Sequence, residues 1–186
     1  MLELTTEERQ AAFGIWQDNS LSRPVIGVNL GGASRFAGRR WPDCHVLELA
    51  GHLTESNRHV LLLAGAAEYE RARCLASECA GATVMPPTSK RVLAGVIERL
   101  AVLVTSDTLA LHLAAAVRTL AVALFGGTSW HEFETYDLGE KLTAELPCSP
   151  CYRSRCEMEQ CMRALSPEQV LGAIERALTR MAYAPL

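Results

Sequence analysis

Apolar runs of strand length alternate along the chain with segments in which apolar residues recur at helical spacing. The runs are apolar throughout, whereas half-buried strands alternate apolar with polar residues. Strands that are buried on both faces occur in parallel sheets covered by helices. The alternation therefore predicts an α/β domain with a doubly wound, Rossmann-like parallel sheet. The predicted strands are residues 25–30, 59–64, 82–85, 102–105 and 120–125, and the predicted helices between them are residues 42–54, 67–80, 88–100 and 107–117.

Helix-start signals flank this core. Thr5 and Glu8 have the spacing of a capping box. Ser166 and Pro167 suit the cap and first position of a final helix. The intervening segment is polar, aromatic and rich in cysteine, so we expect mostly loop around one strand at 141–146. We divide the chain into an N-terminal helix and connection, 1–24, and a binding domain, 25–186, which includes a cysteine-rich segment, 147–163, and a C-terminal helix, 166–183.

Composition narrows the class of protein. The net charge is −3 and the pI is near 6.0, which gives no electrostatic footprint for nucleic acid. No apolar run reaches the roughly 18 residues that a membrane span needs. The first residues lack the layout of a signal peptide. We therefore expect a cytoplasmic protein without a transmembrane segment and without a nucleic-acid partner.

The loop after the first predicted strand carries candidate anion-binding groups. It begins with Gly31 and Gly32 and contains Arg39 and Arg40. Glycine permits close backbone approach to a ligand, a helix N-terminus favours an anion, and arginine offers bidentate donors to phosphate. In open α/β sheets, ligands bind outside the carboxyl ends of the strands, where this loop lies. The alternative is a flexible loop with solvated arginines.

The loop after the fourth predicted strand adds Ser106, Asp107 and Thr108, whose hydroxyl and backbone N–H groups suit a phosphate. His112 follows Thr108 by four residues and shares its helical face. The alternative for Ser106 or Asp107 is a simple N-cap. The alternative for His112 is a core residue with its hydrogen bonds satisfied.

Two further loops end at the same sheet edge. Gly126, Gly127 and Thr128 form a glycine and hydroxyl turn after the fifth strand. Glu68 or Glu70, after the second strand, could accept hydrogen bonds from ribose hydroxyls. The alternatives are ordinary turn chemistry and compensation of a helix dipole.

Together these segments resemble the C-terminal domain of glycosyltransferase family 9, the ADP-heptose:lipopolysaccharide heptosyltransferases. Residues 106–116 and 122–129 are similar to the family's Asp-[Thr/Ser]-Gly-x-x-His-x-x-Ala-Ala block and its Phe-Gly-Pro-Thr turn. Residues 39–42 resemble its Lys-x-Trp-Pro element. Residues 148–151, with Cys156, Cys161 and the start of the last helix, resemble its C-terminal signature. The likeness extends over residues 25–178.

The resemblance implies the C-terminal half of a GT-B glycosyltransferase with an inverting mechanism that needs no cofactor. The donor would be ADP-heptose or a similar nucleotide sugar, and the acceptor a glycolipid or glycan of lipopolysaccharide core synthesis. The protein itself would be peripheral at the inner membrane. Arg39, Asp107 and His112 would serve catalysis. Residues for donor binding would be Gly31, Gly32, Arg40, Glu68, Ser106, Thr108, Gly126, Gly127 and Thr128.

The sequence departs from the family pattern at four positions. Leu109 replaces a glycine, Arg39 a lysine, and Gly127 and Trp130 replace prolines. Family members also carry an N-terminal acceptor domain, so we expect transfer to require a separate domain or subunit. The chain would then be one domain of a larger protein, one subunit of a split enzyme, or a solitary relic.

Four cysteines are closely spaced: Cys148, Cys151, Cys156 and Cys161. Four thiolates suit a structural zinc or iron ion, and a cytoplasmic setting disfavours permanent disulfides. The alternatives are reduced buried thiols or a disulfide.

Two other functions remain open. The chain could be a non-catalytic nucleotide-binding or interaction module, or another sugar-nucleotide enzyme such as an epimerase. Donor binding without turnover would favour the module, and the product of ADP-heptose turnover would identify an epimerase.

Overall fold

The computed structural model describes residues 1–21, 24–31, 39–153, 156 and 160–183. Within them, six strands form a sheet whose pairings are all parallel. The strands are β1 (Val25–Asn29), β2 (His59–Leu63), β3 (Ala82–Val84), β4 (Val102–Ser106), β5 (Ala121–Phe125) and β6 (Gly139–Thr143). The helices are α1 (Thr6–Asp18), α2 (Asp43–Glu55), α3 (Tyr69–Glu78), α4 (Lys90–Glu98), α5 (Leu109–Ala116), α6 (Gln160–Arg163) and α7 (Pro167–Tyr183), with a 3₁₀ turn at Trp130–Glu132.

The strand order is β3-β2-β1-β4-β5-β6, which confirms the predicted doubly wound sheet. The chain starts in the middle of the sheet, builds outward to β3, then crosses back and builds outward to β6. β1 and β4 are therefore neighbours, and their register pairs Ile26 with Val102 and Val28 with Val104. The order of the sheet reverses between these two strands, so their carboxyl ends form the switch point.

The sheet separates two hydrophobic cores because successive side chains of each strand point to opposite faces. Helices α2, α3 and α7 cover one face, on which Ile26 and Leu62 are buried. Helices α1, α4 and α5 cover the other, on which Leu61 and Leu103 are buried. Burial on both faces explains why the strands are apolar at nearly every position.

Local signals fix several helix starts. Both hydrogen bonds of the predicted capping box join Thr5 and Glu8 at the start of α1. Ser166 accepts from the backbone of Gln169 before α7, and the Gln169 side chain accepts in return. The Arg91 guanidinium and the Thr5 backbone hold the pKa of the Glu8 carboxyl below its ordinary value. The ion pair between Glu8 and Arg91 links α1 to α4 at the surface of the protein.

The last third of the sheet differs from the prediction. β6 spans Gly139–Thr143, two or three residues before the predicted strand at 141–146, and α6 was not predicted. β6 is an edge strand whose side chains are half-buried or exposed, so its sequence carries no continuous apolar run. Its pairing with β5 decides its position. No helix in the described ranges is both long and apolar enough to cross a membrane.

Candidate functional site

An open cleft lies at the switch point, at the carboxyl ends of β1 and β4. Its volume is about 450 Å³, which is within the range of small-molecule sites. Segments far apart in sequence form its walls, because parallel strands end at the same edge. The predicted site residues that line it are Gly31, Arg39, Glu68, Asp107, Thr108 and His112.

Asn29, the last residue of β1, links the loops on either side of this cleft. Its Nδ2 lies 3.0 Å from the carbonyl oxygen of Gly31, 3.0 Å from Thr105 Oγ1 and 3.1 Å from Thr108 Oγ1. Its Oδ1 accepts from the Gly31 N–H at 3.4 Å. The side chain thus joins the end of β1 to the end of β4 and the start of α5.

Arg39 and Asp107, which the sequence placed in loops at the same edge of the sheet, meet across the cleft. Arg39 Nη1 donates to the carbonyl oxygen of Asp107 at 2.9 Å, and Nη2 lies 3.4 Å from Asp107 Oδ2. Both side chains are about four-fifths buried. The guanidinium is therefore held at the switch point before any ligand binds.

The N-terminus of α5 opens toward the same cleft. Thr108 is its N-cap, and its side chain makes no hydrogen bond to the helix backbone. The hydroxyl instead lies 3.0 Å from Thr105 Oγ1, within the Asn29 cluster. The first N–H groups of the helix lack a side-chain cap, and the positive end of the helix dipole favours an anion.

His112 is exposed, which rules out the alternative of a core histidine. Its ring packs edge-on against Phe133, with centroids 5.2 Å apart. The imidazole lies between the switch-point cleft and a second open cleft along α5 and residues 132–138. A group in that position can contact a ligand that occupies the switch-point cleft.

Of the two acidic candidates after β2, Glu68 lies at the cleft and Glu70 does not. Glu68 is the N-cap of α3, without a side-chain bond to that helix. Gly65 permits its approach, since a Cβ at Gly65 would lie 3.0 Å from Glu68 Oε2. Glu70 is exposed and pairs with Arg73 at 3.4 Å.

Leu109, the first residue of α5, also lies at this cleft. Its side chain is 46% exposed and lines the wall beside Thr108. The wall of the cleft therefore includes an apolar side chain next to the Thr108 hydroxyl.

Gly126, Gly127 and Thr128 line a different cavity, together with all four clustered cysteines. Arg39 lines both, so this cysteine cavity adjoins the switch-point cleft. The carbonyl oxygen of Gly127 accepts from the N–H groups of Cys151 and Tyr152, at 3.1 and 2.7 Å. The predicted glycine turn thus contacts the cysteine-rich segment.

The close packing around the cysteine cavity leaves no room for a side chain at Gly126. A Cβ at Gly126 would lie 2.7 Å from Met162 Sδ and 2.8 Å from Cys161 Sγ. Thr128 is 7% exposed, and its Oγ1 has no hydrogen-bond partner among the described residues. A buried hydroxyl without a partner is costly, so the cavity contains an unmet polar group.

The four cysteines are all free, and their exposure decreases from Cys148 to Cys161. Burial raises the pKa of the Cys161 thiol, and the nearby thiols of Cys151 and Cys156 raise it further. Among the described residues, no three His, Cys, Asp or Glu side chains are arranged to hold a metal ion. The four-thiolate metal site therefore stays a prediction that the spacing suggested, although the thiols do share one cavity.

The remaining predicted residues lie apart from the cleft or outside the described ranges. Ser106 is buried and Arg40 exposed, and both line a small pocket beneath the switch point. Gly32 lies outside the residues that the structure describes. Trp41 has a structural contact: its Nε1 donates to the carbonyl oxygen of Leu165 at 2.8 Å, in the interior.

Sequence reasoning missed Asn29, Thr105 and Phe133. Asn29 carried a usable signal, since an amide ends an otherwise apolar strand immediately before a glycine loop. Thr105 is 1% exposed and reads as an ordinary strand residue. Phe133 contacts His112 only because the loop after β5 returns over α5, which local patterns do not reveal.

The sequence model of glycosyltransferase family 9 (heptosyltransferase) matches residues 1–162. The chain is 31% identical over 158 residues to lipopolysaccharide heptosyltransferase 1 of Pseudomonas aeruginosa, covering 75% of this chain and 44% of that protein. The chain spans about half the length of the curated relatives it matches.

Solved structures share the fold. ADP-heptose lipopolysaccharide heptosyltransferase II of E. coli superposes with a TM-score of 0.78 at 23% identity, over 98% of this chain and 54% of that one. E. coli heptosyltransferase WaaC with ADP-2-deoxy-2-fluoro heptose gives 0.67 at 23% identity, over 89% of this chain and 47% of that one. The TM-scores show that this chain shares the fold of these two proteins.

Proposed function

This chain belongs to glycosyltransferase family 9, and we propose that its switch-point cleft binds the nucleoside diphosphate of a sugar donor, ADP-heptose or a close analogue. The observation that carries this proposal is the convergence of Arg39, Thr108 and the N-terminus of α5 on one cleft. Each of these groups stabilises an anion. The ligand of the similar E. coli heptosyltransferase contains ADP and a heptose analogue, which agrees with this chemistry.

The proposed reaction is glycosyl transfer with inversion. An acceptor hydroxyl forms a bond to the anomeric carbon, the bond from that carbon to the diphosphate oxygen breaks, and the acceptor proton passes to a base. Arg39 and the α5 N-terminus would stabilise the charge that develops on the leaving diphosphate. His112 and Asp107 would contact the sugar and phosphate side of the donor, and Glu68 the ribose.

We propose that acceptor binding and the base come from residues beyond these 186, because the curated relatives are about twice as long. The acceptor would be a glycolipid of lipopolysaccharide core synthesis, reached from the cytoplasmic face of the inner membrane. Transfer by the 186-residue chain alone should be weak, since catalysis needs both substrates in near-attack geometry. Robust transfer to a core acceptor by this chain alone would contradict this part of the proposal.

Calorimetric titration of the 186-residue chain with ADP, UDP, GDP and adenosine tests the donor assignment. We expect ADP to bind, and adenosine to bind more weakly because it lacks the diphosphate. Failure of all three nucleoside diphosphates to bind would overturn the proposed function. Binding of ADP-heptose without transfer, when acceptor and an acceptor-binding partner are supplied, would favour a non-catalytic module.

A separate proposal concerns the four cysteines, which would hold one structural zinc or iron ion. The donor set fits, because four thiolates complete a tetrahedral site and leave no position for substrate. The thiols share a cavity, but metal binding would require them to move closer together than they lie here. Elemental analysis of protein purified without chelator tests this. Less than about a tenth of an equivalent of zinc plus iron would contradict it, because a structural site is filled when the protein folds.

A further inference from the structure

We infer that Asn29 is a positioning residue that sets the direction of the hydroxyl protons in the cleft, so that Thr108 can donate to a bound diphosphate. The inference rests on the proposed function, because it takes the ligand of the cleft to be an anion. Asn29 lies outside the segments that resemble the family's motifs.

The orientation of the Asn29 carboxamide follows from its neighbours. The N–H of Gly31 can only donate and faces Oδ1 at 3.4 Å, whereas the carbonyl oxygen of Gly31 can only accept and lies 3.0 Å from Nδ2. Rotating the amide by half a turn would set donor against donor and acceptor against acceptor. Nδ2 therefore faces Thr105 and Thr108 as a donor.

This polarity constrains both hydroxyl groups. An amide nitrogen has no acceptor capacity, so in its hydrogen bonds with Thr105 Oγ1 and Thr108 Oγ1 the hydroxyl oxygen is always the acceptor. Thr105 can place its own proton on the carbonyl oxygen of Ser106, 3.0 Å away. The two hydroxyl oxygens lie 3.0 Å apart, and in that case the Thr108 hydroxyl donates to Thr105 Oγ1.

Thr108 is consequently left with a proton that can change partner. In the structure its acceptor is Thr105 Oγ1. When an anion enters the cleft, the Thr108 hydroxyl can turn to it, and Thr105 retains its contacts with Asn29 and Ser106. Since Nδ2 shares two hydrogens among three acceptors, the cluster tolerates this exchange without leaving a buried oxygen unpaired.

The same contacts fix the geometry of the cleft. They join positions 76 and 79 residues apart along the chain. The Gly31 backbone and the first residue before α5 are thereby ordered before the ligand arrives, which reduces the entropy cost of binding. Asn29 thus prepares both the position and the polarity of Thr108.

Asn29→Asp tests this inference with almost no change of shape. The introduced carboxylate only accepts, so it would take the protons of Thr105 and Thr108 and add a negative charge beside the diphosphate. We expect ADP affinity at pH 7.5 to fall by about 10- to 100-fold, the range for hydrogen bonds to charged groups. Adenosine affinity should change by less than about threefold, since only the phosphate-facing polarity is altered.

Two further measurements distinguish polarity from a structural role. Lowering the pH should restore ADP affinity to the Asn29→Asp variant relative to the parent, because a protonated carboxyl regains a donor and loses its charge. In a Thr108→Val background, Asn29→Asp should cost much less ADP affinity than it does alone.

Asn57→Asp is the matched control. Asn57 is exposed between α2 and the start of β2, at the opposite edge of the sheet, and its substitution should leave ADP affinity unchanged.

Equal ADP affinities of the parent and the folded Asn29→Asp variant would overturn the inference. Should Asn29→Asp not fold, Thr108→Val alone decides, since full ADP affinity in that variant would also overturn it. Parallel losses of ADP and adenosine affinity that do not respond to pH would show a structural role instead. If the unchanged chain binds no nucleoside diphosphate, the proposed function fails, and the inference fails with it.

Discussion

The switch-point cleft and the cysteine cavity lie side by side and share Arg39, yet they are organised differently. In the cleft, the described polar groups of the Asn29 cluster already have partners, and Arg39 is held by Asp107. In the cavity, Thr128 Oγ1 is buried without a partner among the described residues, and four thiols are free. The cleft is ordered before a ligand binds, whereas the cavity contains a buried hydroxyl that no described residue hydrogen-bonds.

The difference follows from what supports each region. The cleft is built on the ends of β1 and β4 and the first turn of α5, which are anchored in both hydrophobic cores. The cavity is built on the connection from β6 to α7, where the cysteines lie mostly outside regular elements. Preorganised binding groups belong on rigid elements, which supports the proposal that the cleft is the donor site.

The largest effect should follow from removing the side chain that both regions share. Arg39→Ala should weaken ADP binding by about 1.5–3 kcal/mol, because a charge-assisted hydrogen bond to the diphosphate is lost. Isothermal titration calorimetry measures the change. Arg73→Ala is the control, since Arg73 is exposed on α3 and forms its ion pair with the neighbouring Glu70. Equal ADP affinity of Arg39→Ala and the parent would remove Arg39 from the donor site.

A smaller effect is expected for Trp41→Phe, which should lower the stability of the protein without weakening ADP binding. Trp41→Phe removes the indole N–H and leaves the buried carbonyl oxygen of Leu165 without that donor. We expect the free energy of unfolding to fall by about 1–2 kcal/mol, the cost of an unpaired buried acceptor. Urea denaturation measures this loss.

The affinity of the folded Trp41→Phe protein for ADP should change little. The lost contact anchors the connection between α6 and α7, not the Asn29 cluster. A large loss of ADP affinity with unchanged stability would contradict this separation of the two regions.

The smallest effect is expected at Thr128, which lines the cysteine cavity and not the switch-point cleft. Thr128→Val removes a buried hydroxyl without a described partner and preserves the shape of the side chain. The free energy of unfolding should stay the same or rise by up to about 1 kcal/mol, and ADP affinity should change by less than about 0.5 kcal/mol. A tenfold loss of ADP affinity would return Thr128 to the donor site.

The stability of α1 should also depend on pH through Glu8, and this effect is modest because the carboxyl is at the surface. Arg91 and the Thr5 backbone lower its pKa in the folded protein, so the stabilisation is present above the ordinary pKa and is lost as the pH falls through the lowered one. Glu8→Gln should flatten this part of the acid denaturation curve. An unchanged curve would show that the charge of Glu8, and with it the Arg91 ion pair, contributes nothing measurable.

The sequence predicted the sheet well where burial on both faces leaves a continuous apolar signal, as in β1, β4 and β5. It was wrong about the bounds of β6, because an edge strand needs no such run and its position depends on pairing with β5. The sequence also predicted that the loops of Arg39 and Asp107 lie at the same edge of the sheet, since the carboxyl ends of parallel strands meet at one edge.

Two features of this protein were determined by its sequence alone: the doubly wound sheet, and the edge at which polar and glycine-rich loops gather. Both follow from local periodicity and the geometry of parallel strands, which require no knowledge of distant contacts. Tertiary structure alone decided that Thr128 belongs with the cysteines, that His112 is exposed, and that Asn29 contacts Thr108. These outcomes depend on which loops fold over one another, and residues 76 or more positions apart leave no local pattern that reports their meeting.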